Sequence, residues 1–287
     1  MIPAAFDYVV PRTLSEAVAE LVKHGQEGKV LAGGHSLIPL MKLRHATPSF
    51  LVDIGRVPNL NYIREEDGHV AIGALTTHHD IEFSEAIKRK LPMLARAASL
   101  IGDPQVRNLG TIGGAAAHAD PFGDFPACLV ALDAELKVVG SRGERSIAAR
   151  DFFVDTFTSA LEPDEIVREI RVATPAPGSN GTYLKFSRRS QDWAIVAVAA
   201  QVTVSGGNLS DVRVGLTGMG NKPIRASGVE QALRGKRADP EALRAAAEKA
   251  ADGTDPTQDL NGSPDYRRHL AKVLTRRALE QLTTQQS

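Results

Sequence analysis

Cysteine is almost missing from this chain: Cys128 is the only one in 287 residues. A single thiol closes no internal disulfide, and by itself it builds neither a zinc site nor an iron–sulfur cluster. It stands in an apolar stretch, PACLVAL, where buried packing is the expected role. Long apolar runs are missing too. Nothing approaches the roughly 18 to 20 residues that a membrane-spanning helix needs, and the opening MIPAAFDYVV lacks the basic and apolar regions of a signal peptide. A soluble, cytoplasmic protein is the expectation. Net charge is absent as well, since 34 Lys and Arg balance 34 Asp and Glu. No global field draws the chain to nucleic acid or to an anionic membrane, so any partner is recognised locally.

What is present begins with an α/β pattern over residues 1–60. Thr13 and Glu16 read as a capping box, and Leu14, Ala17, Val18, Leu21 and Val22 share one helical face until Gly25 stops it. The run Lys29-Val30-Leu31-Ala32 then leads into GGHSL, a helical pattern over Ile38 to Arg44, and a second apolar run, FLVDI. Adjacent glycines between a strand and a helix let the backbone approach a ligand with its N–H groups bare, and the helix N-terminus adds partial positive charge. That arrangement suits a diphosphate, with Ser36 as an added donor; the alternative is a tight turn with Ser36 as helix N-cap.

Residues 61–175 open with a hairpin signal, Asp67-Gly68 between Tyr62-Ile63 and Val70-Ala71-Ile72. Thr77 is placed to cap one helix, and Pro92 opens another running toward Ile101. From IGDPQVRNLGTIGGAAAHADPFGDFPACLVAL no clear period emerges, so a long functional loop is expected. It carries a second glycine pair, Gly113-Gly114, after Thr111. Asp124 is either a ribose-hydroxyl acceptor or the cap of the helix in PACLVAL. Pro175-Ala176-Pro177-Gly178 reads as a linker, followed by strand patterns over Trp193 to Val204 and Asp211 to Leu216 joined at Gly206-Gly207. A last helix is capped by Ser263 with Pro264 at its first position; Arg267, Arg268, Arg276 and Arg277 read as its solvated or subunit-facing surface. His78-His79-Asp80 is the one dense polar cluster, read as the surface of a helix N-terminus, and no metal site is expected.

Taken together and in order, AGGHSLIPLMKLR, LVDIG, IGDPQVRNLGTIGG and DPFGDFPA resemble the FAD-binding medium subunits of molybdenum hydroxylases, the xanthine dehydrogenase family, and within it the aerobic carbon monoxide dehydrogenase branch. The resemblance runs from FDY to the final helix. It implies an α+β fold: two α/β FAD-binding subdomains of the vanillyl-alcohol-oxidase or PCMH type (1–60 and 61–175), then a C-terminal domain with a small antiparallel sheet and helices (178–287). It also implies roles. Ala32, Gly33, Gly34, His35 and Ser36 would bind the FAD diphosphate, with Thr111, Gly113 and Gly114 as a second wall. Asp124 would lie near the adenosine ribose, Ile101 against the isoalloxazine and Lys185 close to the flavin. Trp193 is either an aromatic near the flavin's other face or a core anchor. Where relatives commonly read TIGGN, this chain has Ala115, so that asparagine's side-chain contact is absent.

The resemblance further implies an electron-transfer subunit of a heterotrimer. Molybdopterin and 2Fe–2S clusters would be held only by a large and a small partner, arranged as a dimer of heterotrimers, and the acceptor would be external. No catalytic acid or base is then required of this chain, because the redox chemistry belongs to the cofactor. Two other classes remain open: an independent flavin oxidoreductase with its own substrate site, and a non-redox nucleotide-binding scaffold.

Overall fold

The computed structural model describes residues 1–66 and 68–284; Asp67 of the expected hairpin turn and residues 285–287 lie outside the described residues. Near the N-terminus, β1 (Asp7–Val9), β2 (Gly28–Leu31) and β3 (Phe50–Asp53) form a parallel sheet in the order β1-β3-β2. The crossovers are helical: α1 (Leu14–His24) joins β1 to β2 and α2 (Leu37–Leu43) joins β2 to β3. Thr13 accepts a hydrogen bond from Glu16 N as expected, but the Glu16 carboxylate reaches past Thr13 to Arg12 N at 2.7 Å. Ala17, Val18 and Leu21 are buried against Val52 and Ile54. Val22, assigned to the same face by its spacing, is exposed because it falls at the edge of that stripe.

A five-stranded antiparallel sheet follows, ordered β4-β5-β10-β6-β7. β4 (Ile63–Glu66) and β5 (His69–Gly73) are the hairpin signalled in sequence. Three helices, α3 (His78–Phe83), α4 (Glu85–Lys90) and α5 (Pro92–Ser99), come next. The long loop expected ahead of the PACLVAL helix instead contains α6 (Pro104–Leu109) and α7 (Ile112–His118), and the PACLVAL helix itself is α8 (Asp124–Ala131). α6 and α7 are too short to display a 3.6-residue period, and they are set by local caps: Asp103 on Gln105 and Val106, Thr111 on Gly114. α8 shows no amphipathic period because all eight of its residues are buried. Then come β6 (Glu135–Gly140), β7 (Gly143–Ala148), α9 (Ala149–Phe152), a minor pair β8 (Phe153–Asp155) and β9 (Thr158–Ser159), and β10 (Ile166–Ala173).

After the proline-rich linker, β11 (Ser179–Phe186), β12 (Val196–Ser205), β13 (Asn208–Thr217) and β14 (Ile224–Arg225) form an antiparallel sheet in chain order. Gly206 and Gly207, both at positive φ, make the tight turn between β12 and β13. Alternation along β12 serves two cores. Ala197 and Ala199 face the cluster that includes α5 and α8, while Val198, Ala200 and Val202 face α10 (Ser227–Leu233), α11 (Pro240–Ala247) and α12 (Pro264–Thr284). Among the described residues no helix is long and apolar enough to cross a membrane.

Candidate functional site

The first glycine pair lies between β2 and α2, at the carboxyl end of the parallel sheet. Gly34 sits at φ +73, a left-handed backbone that favours glycine. At Gly33 the constraint is space: a Cβ built there would lie 2.1 Å from the Leu109 carbonyl oxygen and 2.8 Å from Gly110 Cα. The two glycine motifs are therefore packed backbone to backbone. No N–H of Gly33, Gly34, His35 or Ser36 donates to an acceptor among the described residues. Ser36 occupies the N-cap position of α2, yet its hydroxyl makes no capping bond. The tight-turn alternative explained Ser36 by that bond, and the bond is not there.

The second motif is fastened differently. Ile112 N donates to Thr76 O at 3.0 Å and Gly113 N to Ala74 O at 2.9 Å. A Cβ on Gly113 would meet Ala74 at 2.6 Å, whereas one on Gly114 would touch only Thr111 Oγ1, at 2.8 Å. Thr111 Oγ1 accepts from Gly114 N, and Ala115 N is occupied by Thr111 O. The unpaired amide donors thus belong to the first loop, while the second supplies a closely packed wall.

His78 packs against the second motif at Gly110. Far from lying on a helix surface as its cluster suggested, it is buried: its N–H donates to Gly110 O, and its ring stands edge-on to Phe125, 5.1 Å between centroids. Burial, reinforced by His35 and Arg107, lowers its pKa from 6.5 to about 4, and the ring's Nδ1 has no partner. Of the other two residues in that cluster, Asp80 completes a capping box with Thr77, and the His79 ring lies tilted against Phe83, 4.6 Å between centroids. Among the described residues no group of three metal-binding side chains occurs.

Asp124 does not cap α8; Gly123 holds the N-cap position. The buried Asp124 carboxylate accepts from Tyr183 Oη at 2.7 Å and from Lys185 Nζ at 3.0 Å. Tyr183 and Lys185 are two apart on β11 and so project from the same face. Burial pushes the Asp124 carboxyl up, opposed by Lys185 and Tyr183, and burial also raises the Tyr183 phenol. Lys185 Nζ donates in addition to Leu100 O at 3.2 Å, beside the half-buried Ile101. Arg107 holds the Ile101 carbonyl at 2.7 Å and is itself paired with Glu82 at 2.8 Å.

Trp193 is 69% exposed, which excludes the core-anchor alternative. It lines an open cleft of about 400 Å³ with Asp120, Phe122, Phe157 and Arg188, over the buried Arg267. Its loop meets the Ile101 segment, since a Cβ on Gly102 would lie 2.5 Å from Gln191 Cα. The expected site residues thus fall into three adjoining groups: Ala32 to Ser36 against the Gly110–Gly114 turn, Ile101 with Asp124 and Lys185, and Trp193 on the cleft. Sequence reasoning missed Tyr183, Arg107 and Arg267. Arg267, expected on the surface, is fully buried. Its signal was available in the spacing, for it falls on the same stripe as Leu270, Ala271, Leu274 and Ala278.

Comparison with known proteins is consistent along the chain. Residues 4–175 match the FAD binding domain in molybdopterin dehydrogenase and residues 181–282 the CO dehydrogenase flavoprotein C-terminal domain. The medium chain of carbon monoxide dehydrogenase from Hydrogenophaga pseudoflava is 43% identical over 97% of each chain. The medium chain of glyceraldehyde dehydrogenase from Sulfolobus acidocaldarius is 38% identical over 98% of this chain and all of that one. Among solved structures, reconstituted CO dehydrogenase from Oligotropha carboxidovorans superposes with a TM-score of 0.97 at 42% identity, over 99% of each chain. The residues present fit FAD: bare amides at the end of a parallel sheet are donors for a diphosphate, and the adjoining buried ammonium and open aromatic cleft suit the polar and planar parts of a flavin. By sequence and by structure, the chain belongs to the FAD-binding medium subunits of molybdenum hydroxylases, which are oxidoreductase subunits.

Proposed function

We propose that this chain is the FAD-carrying electron-transfer subunit of a heterotrimeric molybdenum hydroxylase, of the carbon monoxide dehydrogenase type. In this reading it works in the cytoplasm, between the iron–sulfur centres of a small partner and an external acceptor, beside a large molybdopterin-bearing partner in a dimer of heterotrimers. The observation that carries the reading is the run of four unpaired amides, Gly33 to Ser36, packed against a second glycine motif. The branch is supported by the 43% identity to a carbon monoxide dehydrogenase medium chain. Placement of iron–sulfur centres in a partner is supported by the single, fully buried Cys128.

FAD, when bound, supplies the electron-accepting and electron-releasing chemistry. This chain's residues do the holding. Backbone N–H groups of Gly33, Gly34, His35 and Ser36 would donate to diphosphate oxygens from a loop already in place, with little conformational freedom lost. Thr111 Oγ1 accepts from Gly114 and keeps its own proton for a ligand oxygen. Lys185 gives two of its three ammonium protons to Asp124 and Leu100 and retains one for the cofactor. Asp124, with each oxygen holding one partner, has lone pairs left for a hydroxyl. Ile101 and Trp193 would contact the two ring faces, and no proton transfer is asked of any side chain. The units proposed for this work are residues 1–60, 61–175 and 178–287.

Acid treatment of the purified complex tests the cofactor assignment. About one FAD should be released per chain of this protein, because neither loop carries a cysteine and no histidine stands in a recognised flavin-attachment motif. Recovery of FMN, of a covalently retained flavin or of no flavin counts against the reading.

A further inference from the structure

Arg267 opens the buried stripe of α12, where a leucine would pack at far smaller desolvation cost. What an arginine offers and leucine lacks is a rigid fork of N–H donors carrying a charge. Here the fork is engaged in three directions. Nη1 donates to the Ile195 carbonyl, Nη2 lies 2.7 Å from Asp259 Oδ1, and the guanidinium sits over the Phe122 ring at 5.3 Å from its centroid. Asp259 is held below its ordinary carboxylate pKa despite partial burial, through the Asn261 and Gly262 amides and Arg267. The three partners come from different parts of the chain: Phe122 from the turn before α8, Ile195 from the approach to β12, Asp259 from the turn before α12.

Phe122 and Ile195 also meet at Gly218, where a Cβ would lie 3.3 Å from the Phe122 ring and 2.6 Å from Ile195 O. Trp193, two residues before Ile195, is 69% exposed. Packing cannot fix a side chain that open, so its place depends on the backbone to either side. On one side that backbone is pinned by Gln191 against Gly102; on the other, Ile195 N donates to Phe186 O at 2.8 Å and Ile195 O accepts from Arg267.

We propose that Arg267 is a positioning residue for the flavin cleft: from beneath the cleft it holds the Trp193–Ile195 segment at a set distance from the Phe122 wall, and so governs how firmly FAD is retained. The cofactor half of this statement rests on the function proposed above; the anchoring half does not.

Amide hydrogen exchange on the full chain, with FAD release followed in the assembled complex, tests both halves. In Arg267→Met, exchange across 187–196 should accelerate about tenfold while the centre of β12 stays as in the parent chain, and FAD should dissociate several-fold faster. Arg267→Lys keeps the charge but not the fork and should fall between the two. Arg268→Ala, one residue along, should match the parent. Uniform acceleration through β12 and α12 would reduce Arg267 to a core residue and overturn the proposal; so would unchanged exchange across 187–196. Faster local exchange with unchanged FAD release would overturn the cofactor half. If Arg267→Met does not fold, Asp259→Asn should loosen the same segment, and a parent-like pattern there would overturn the anchor. Absence of FAD from the parent complex would count against the proposed function, leaving the exchange experiment to judge the anchor.

Discussion

At the scale of single residues, the site sets buried ionised groups against counter-charges and backbone carbonyls. Asp124 shows the logic: a carboxylate taken out of water is tolerable because an ammonium and a phenol meet it, and the same ammonium reaches on to the backbone beside Ile101. His78 has an unpartnered Nδ1, and its acid sensitivity should reveal it. Its folded-state pKa lies below that of the free side chain, so the folded state prefers the neutral ring. Stability from this group is complete above pH 6.5 and is lost as pH falls from 6.5 toward 4. At about 1.4 kcal/mol per pH unit the full effect is roughly 3 kcal/mol. Denaturant unfolding at pH 7 and at pH 4.5 should therefore show a smaller acid loss in His78→Asn than in the parent chain; equal losses would mean that His78 is not the group being titrated. Sequence alone placed His78 on a surface, because a polar triplet after a capping threonine gives no hint that Gly110 and Phe125 close over it.

Elements carry the next level. The two glycine pairs looked equivalent in sequence, and the structure separates them: Gly33 is confined by the backbone of Leu109 and Gly110, Gly113 by Ala74, and Gly114 only by a threonine hydroxyl. Gly33→Ala should drive the two loops apart at a cost of roughly 1–3 kcal/mol and leave the folded protein without FAD. Gly114→Ala should weaken the Thr111 cap and lower flavin occupancy only in part. Flavin content against melting temperature decides the point, and full occupancy in folded Gly33→Ala would remove the first loop from the cofactor site. The βαβ order of residues 1–60 and the hairpin around Gly68 were legible because strand, turn and cap signals are local. α6 and α7 were not, since both are shorter than a readable period. Arg267 was misread for a related reason: charge was given more weight than the stripe it occupies.

For the molecule as a whole, the C-terminal sheet and its helices are tied to the segment around α8 by side chains. Lys185 and Tyr183 on β11 bind Asp124 on α8, and Arg267 on α12 spans Phe122 and Ile195. The proposed cofactor site lies at such a junction, and the lone cysteine is buried, as the proposed relay requires of a chain that leaves iron–sulfur centres to a partner. Its place in a relay is tested most directly by rapid anaerobic reduction of the assembled complex, with and without FAD, followed at flavin and iron–sulfur wavelengths. Substrate should reduce the iron–sulfur centres in both preparations, turnover with the flavin's acceptor should stop when FAD is removed, and the isolated chain's flavin should stay oxidised with the same substrate. Reduction of flavin in the isolated chain by that substrate would contradict the relay.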